Sequence, residues 1–276
     1  MGLEVINDPN KPDVIELKDI GQVYPTSESE VVVIKGLNLL IEREPQADGS
    51  KYGKIICLLG PSGCGKSTIL RYISGLQIPT GGTVLLDEEP IEEDESVGMV
   101  FQKYSSLEWL TVLENVALGF KLKGVGKEER EKKARDIIKM VGLEGHEDKF
   151  AMPPSLSGGQ LQRVAIARSL LSSPNVLLMD EPFGALDIKT RLQMQDMLID
   201  IWEKLHPTII LVTHDIAEAV YLADEIHILG YAPSTIVHKV MVDLPIAGRT
   251  ASIKRDPKFL KYVQHIEDYM MNMKKN

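Results

Sequence analysis

One run, Gly60-Pro61-Ser62-Gly63-Cys64-Gly65-Lys66-Ser67, constrains this 276-residue chain more than any other feature. It fits G-x-x-x-x-G-K-[ST], in which the glycines let backbone N–H groups turn inward around phosphate oxygens. Lys66 is then placed to reach the β- and γ-phosphates of a nucleotide, and the Ser67 hydroxyl to ligate Mg²⁺. The setting agrees. KIICLLG (54–60) reads as a buried strand, and a helix is predicted from Lys66 to Gly75, beginning with Ser67 and Thr68.

A second strand signal, Val176-Leu-Leu-Met-Asp180, ends in an acid and is followed by Glu181. Asp180 is placed to hold Mg²⁺ through water. Glu181, one residue on, points differently and can polarise an attacking water. Further strands are predicted at TIILVTH (208–214) and EIHIL (225–229), with helices around 187–205 and from Asp215. Continuous apolar strands alternating with helices imply a parallel sheet covered on both faces.

Other segments differ in character. VIELKDI (14–20) and VVVIKGLNLLIE (31–42) alternate as strands, and EPQADGSKYG (44–53) reads as an exposed hairpin turn. In 127–143, Ala134, Ile137, Ile138 and Val141 share one helical face, charges cover the other, and Gly142 sits at the stop. This looks like an inserted helical subdomain. The final stretch is strand-like, then helical with a mildly basic end, and Met270, Met271 and Met273 read as helix packing.

Composition excludes several function classes. With 31 basic and 40 acidic residues the net charge is −9, which argues against broad nucleic-acid binding. Much of the excess is the run DEEPIEEDE (87–95), read as a solvated turn. Cys57 and Cys64 make no disulfide framework, fit a reducing compartment, and have no His at zinc spacing. The opening MGLEVINDPN shows neither an export-signal pattern nor a myristoylation motif. Apolar runs such as VLLM (176–179) fall far short of the roughly 20 residues that cross a bilayer.

A third motif is Leu156-Ser157-Gly158-Gly159-Gln160, followed by LQRVAIARSL. Ser157 is a helix N-cap type and the glycines leave backbone N–H groups at a helix start, which makes a second anion site. With LSGGQ the chain resembles the ATP-binding cassette (ABC) family over roughly residues 14 to 250. The resemblance implies an α/β fold: a P-loop NTPase core of mostly parallel sheet flanked by helices, with an antiparallel β subdomain and an inserted helical signature subdomain. It divides the chain into an N-terminal extension (1–12), an ATPase domain (13–245, helical subdomain about 103–165) and a C-terminal helical tail (246–276). It also implies ATP and Mg²⁺ as cofactors, and a second ATPase subunit, homodimeric or a close paralogue. The pair faces head to tail, each signature closing over the other's phosphate loop.

Residue by residue, the resemblance makes Tyr24 the aromatic that stacks on adenine. Gln102, in GMVFQ, reaches Mg²⁺ and the attacking water and senses the membrane partner. Ala185-Leu186-Asp187 crosses the dimer interface, and His214 contacts the γ-phosphate. The implied catalytic set is Glu181, His214, Lys66 and Gln102, and the metal set is Ser67, Gln102 and Asp180.

The interval between Lys66 and Ser157 holds only a compact subdomain, unlike the long coiled coils of repair ATPases of this class. Residues 181–204, 213–229 and VDLP (242–245) look like the nitrate/sulfonate/taurine (bicarbonate) importer ATPases. So does LEWLTVLENVALG (107–119), except that Glu108 replaces the usual Pro. Gln160 stands where this subgroup often has Met, and the 44–53 loop is longer than expected. The implied function is an importer ATPase at the cytoplasmic face of the inner membrane. It would drive separate permease subunits, served indirectly by an extracytoplasmic solute-binding protein. The alternative is a soluble, non-transport ABC ATPase switch.

Overall fold

The structure, a computed structural model, describes residues 14–25, 29–47, 50–90, 97–103, 105–172, 175–246 and 248–274. The expected extension 1–12 and the remainder of the acid run, residues 91–95, lie outside the described residues. The chain divides into two compact units, one formed by Pro12–Val97 with Thr208–Asn276 and the other by Gly98–Pro207.

In the first unit, β1 (Val14–Pro25) pairs antiparallel with β2 (Glu30–Glu42). Ile15, Leu17 and Ile20 of β1 and Leu37, Leu39 and Ile41 of β2 point into its core. The alternation at 14–20 stops there in the sequence, but the strand continues to Pro25. Register shifts between Leu17 and Val23, with Asp19 at φ 50, break the period-two pattern. The hairpin expected at 44–53 is present as β3 (Glu44–Pro45) against β4 (Lys51–Tyr52).

β5 (Ile55–Leu59) is buried throughout and leads through the glycine-rich loop into α1 (Lys66–Ile73). β6 (Gly81–Leu86) adds to β1 and returns as β7 (Glu89–Pro90), which completes the order β2-β1-β6-β7. Asp87 and Glu88 between them both have positive φ, the conformation of a two-residue hairpin turn. The start of the acid run is therefore a turn, as expected.

The second unit opens with β8 (Met99–Val100). Three helices follow: α2 (Val112–Leu122), α3 (Lys127–Met140) and α4 (Gly158–Ser172), which pack on one another. Thr111 and Glu114 cap α2 reciprocally. On α3, Ala134, Ile137 and Ile138, with Val141 just beyond, form the buried face, and Gly142 at φ 70 ends it. α4 is buried around most of its girth and packs on β8 and on its parallel neighbour β9 (Val176–Asp180). α5 (Ile188–Leu205) starts at the N-cap Asp187 and packs on α4.

The chain then re-enters the first unit with β10 (Thr208–Val212), α6 (Ile216–Leu222), β11 (Glu225–Leu229), β12 (Ile236–Met241) and α7 (Pro257–Asn272). β10 and β11 flank β5 in parallel, and β12 closes antiparallel on β11. All residues of β5, β10 and β11 are buried, as a parallel sheet covered on both faces requires.

Two acids anchor the entry to β5. The Ile55 N–H donates to Asp224 Oδ2 at 2.8 Å, and burial pushes that carboxyl up to about 6. Glu225 meets His227 at 3.3 Å, Lys239 at 2.7 Å and Lys54 at 3.0 Å, which together hold its carboxyl well below the ordinary range.

Candidate functional site

The phosphate loop leaves the carboxyl end of β5, the end at which open α/β sheets place ligands. Gly63 and Gly65 take φ 77 and 94, which favour glycine over residues with a Cβ. A Cβ on Gly60 would stand 2.9 Å from the Leu229 carbonyl oxygen. Gly65 caps α1 with no side-chain bond to its first turn, so backbone N–H groups are presented at the helix start. Lys66 is only 7% exposed. Its Nζ donates to the Gly60 and Pro61 carbonyls at 2.8 and 2.9 Å and lies 4.0 Å from Cys64 Sγ. Burial raises the Cys64 thiol, which keeps it neutral beside that ammonium.

Pro61, Ser67 and Thr68 are half-buried, and Ser62 is exposed. Tyr24 stands at the end of β1, 38% exposed, and its hydroxyl accepts from Gln77 Nε2 at 3.3 Å. His214, exposed, follows β10, whose Val212 pairs with Leu58. It therefore leaves the sheet beside the phosphate loop. Ser234, which no motif marks, donates its hydroxyl to the Cys64 carbonyl. The Ser234 backbone is in turn pinned to Val33 and Lys35 of β2.

Within the second unit, Asp180 ends β9 half-buried, and Glu181 takes a left-handed φ of 44. That turn brings its carboxylate to Gln102, whose Nε2 donates to Glu181 Oε2 at 3.1 Å. Ser67 hydroxyl, Gln102 amide oxygen and Asp180 carboxylate are all hard oxygen donors, the type that suits Mg²⁺.

The signature opens α4. Ser157 N–H donates to Gln160 Oε1 at 2.9 Å, and Gln160 N–H to Ser157 Oγ at 3.3 Å, a reciprocal cap of the kind Ser157 was expected to provide. Gly158 is half-buried and Gly159 buried, with the Thr190 methyl so close that a Cβ on Gly159 would meet it at 2.5 Å. The Thr190 hydroxyl and amide donate to Asp187 at 2.6 and 3.0 Å and hold that carboxyl below its ordinary value. Thr190, like Ser234, carries no motif. Only the packing reveals it.

Known proteins resemble this chain along most of its length. The family profile "ABC transporter" matches residues 49–184. Nitrate import ATP-binding protein NrtD of Synechocystis sp. is 43% identical over 262 residues, covering 93% of this chain and 94% of its own. Taurine import ATP-binding protein TauB of Pseudomonas putida is 41% identical over 258 residues, covering 92% and 94%. Among solved structures, the dimeric post-hydrolysis state of the ATP-binding cassette MJ0796, bound to ADP and Pi, superposes with TM-score 0.71. Identity there is 34%, over 84% of this chain and all of that one. Likeness over nearly the whole of both chains reaches far beyond a shared loop: this chain belongs to the ABC transporter family.

Proposed function

We propose that the chain is the ATP-hydrolysing subunit of an ABC importer, powering uptake of a small solute such as nitrate, a sulfonate, taurine or bicarbonate. The observation that carries this reading is its near-full-length similarity to two import ATP-binding proteins. Residues 13–245 form the ATPase domain in this reading, with the helical subdomain about 103–165 and the tail 246–276. Among the described residues no helix is long and apolar enough to cross a membrane. Transport requires separate permease subunits, and the chain works peripherally at the cytoplasmic face of the inner membrane. A solute-binding protein outside the membrane supplies the permease.

Adenine stacks on Tyr24 and the phosphates enter the loop Gly60–Thr68. Lys66 exchanges its two carbonyl partners for β- and γ-phosphate oxygens. A partner subunit, facing head to tail, brings its own copy of Ser157, Gly158, Gly159 and Gln160 over the γ-phosphate, with Asp187 crossing the interface. Glu181 and His214 orient a water for in-line attack on the γ-phosphorus, and ADP leaves with the bridging oxygen. Ser67, Gln102 and Asp180 would hold Mg²⁺, which offsets charge on the phosphates when bound. The region around Gln102 passes closure to the permease.

Purification from detergent-solubilised membranes tests this. A multi-span permease should accompany the chain, and solute with its binding protein should stimulate ATP hydrolysis by the complex. Recovery of the chain alone with full ATPase activity would return it to the soluble-switch reading.

A further inference from the structure

The turn after α3 touches the signature through one side chain. His146 Nε2 lies 3.0 Å from Gln160 Nε2. An amide nitrogen can only donate, so the ring nitrogen accepts, and the ring proton sits on Nδ1. That nitrogen faces the Glu144 carbonyl at 3.4 Å, in agreement with this tautomer. With its NH₂ committed to His146, Gln160 turns Oε1 to the Ser157 N–H at 2.9 Å. Rotating the amide by half a turn would set NH₂ against that N–H and break the cap. His146 thus selects the one orientation of Gln160 that caps Ser157.

The His146 turn is itself pinned. The His146 N–H donates to the Leu143 carbonyl, and Lys149 N–H to the His146 carbonyl, both at 3.0 Å. Val112 and Leu113, at the start of α2, donate to the Lys149 and Glu147 carbonyls at 2.9 and 3.0 Å. Arg163 of α4 donates to the Val141 carbonyl at 2.6 Å. The ring therefore stands on a base fixed to two helices, one of which begins with the signature.

We propose that His146 is a positioning residue for the signature, holding Ser157 in order through Gln160. The inference rests on the head-to-tail function proposed above, in which Ser157 meets the partner's γ-phosphate. If Ser157 is not held in advance, dimer closure must order it. The deficit then falls on ATP-driven dimerisation and spares nucleotide binding by a single subunit.

The test uses the full chain carrying Glu181→Gln, so that ATP-bound dimers accumulate, with MgATP as the probe. Dimer is followed by analytical ultracentrifugation, single-subunit affinity by a fluorescent ATP analogue, and folding by thermal melting. His146→Leu should raise the ATP needed for half-dimerisation about tenfold, the scale of losing a helix cap, with affinity in the single subunit unchanged. His146→Gln, whose oxygen reaches the Nε2 position, should restore it. In a Gln160→Met background, His146→Leu should add nothing. Should leucine prevent folding, His146→Asn makes the same comparison, because its oxygen reaches only the Nδ1 position.

Wild-type dimerisation in the leucine or asparagine variant, no rescue by glutamine, or additive effects with Gln160→Met would overturn the role of His146 alone. Failure of the parent Glu181→Gln chain to dimerise with ATP would overturn the head-to-tail reading and this inference with it.

Discussion

Gln102 and Glu181, 79 residues apart in sequence, are joined by a hydrogen bond of 3.1 Å from the Gln102 amide to the Glu181 carboxylate. A carboxylate that accepts from an amide has a fixed direction, which is what positioning a water requires. Glu181→Gln should therefore lower turnover by roughly 10²–10⁴-fold while ATP still binds. Phosphate release under single-turnover conditions, set beside equilibrium nucleotide binding, checks both halves. Near-normal turnover would remove Glu181 from its role.

Gly159 has no room for a methyl group. The added Cβ would stand 2.5 Å from the Thr190 methyl, and Thr190 cannot withdraw because Asp187 holds its hydroxyl at 2.6 Å. Gly159→Ala should cost about 1–3 kcal/mol of stability, the usual scale of overpacking, and should impair ATP-driven dimerisation. Adding Thr190→Ser, which deletes the methyl, should recover most of the loss. Urea unfolding of the single and double variants reads the coupling directly.

Asp224 gives the fold a pH dependence of defined sign. Its carboxyl is raised from 3.8 to about 6 when folded, so the folded chain binds the proton more tightly than the unfolded chain. The group's contribution is fully present below about pH 4 and is lost as pH rises through about 6. Asp224→Asn keeps an oxygen for the Ile55 N–H but cannot ionise. The variant should match the wild type near pH 4 and exceed it above pH 7 by on the order of 1–3 kcal/mol. Denaturant midpoints at several pH values measure this difference, and a pH-independent difference would contradict it.

Ser234 supports the phosphate loop from behind through the Cys64 carbonyl. Ser234→Ala leaves a buried carbonyl without that donor and should cost about 1–2 kcal/mol, with nucleotide affinity reduced several-fold. Titration with a fluorescent nucleotide at equal folded fraction separates the local effect from global destabilisation.

Legibility in the sequence followed the range of the forces involved. The loop 60–67, the strands 55–59 and 208–212, and the α3 face of Ala134, Ile137, Ile138 and Val141 are local patterns, and each stands where its periodicity predicts. Only part of β1 shows in the alternation, because a bulge erases the period-two pattern without ending the hydrogen-bond ladder. Ser234, Thr190 and His146 were invisible for another reason. Each acts on a residue whose motif is plain, but through a contact that exists only after packing, with no spacing rule to announce it. The partnership of Glu225 with Lys54, Lys239 and His227 is hidden in the same way, since it depends on which strands become neighbours.

The position of β5 between β10 and β11 also bears on the order in which the chain folds during synthesis. Ile55–Leu59 has its two parallel neighbours at Thr208–Val212 and Glu225–Leu229, both of which leave the ribosome long afterwards. Gly98–Pro207, made in between, contains its own strands and helices and can consolidate first. The loop that would grip phosphate therefore takes final shape only late in translation, and a nascent chain stalled before Thr208 carries a complete signature helix while β5 still lacks both parallel neighbours.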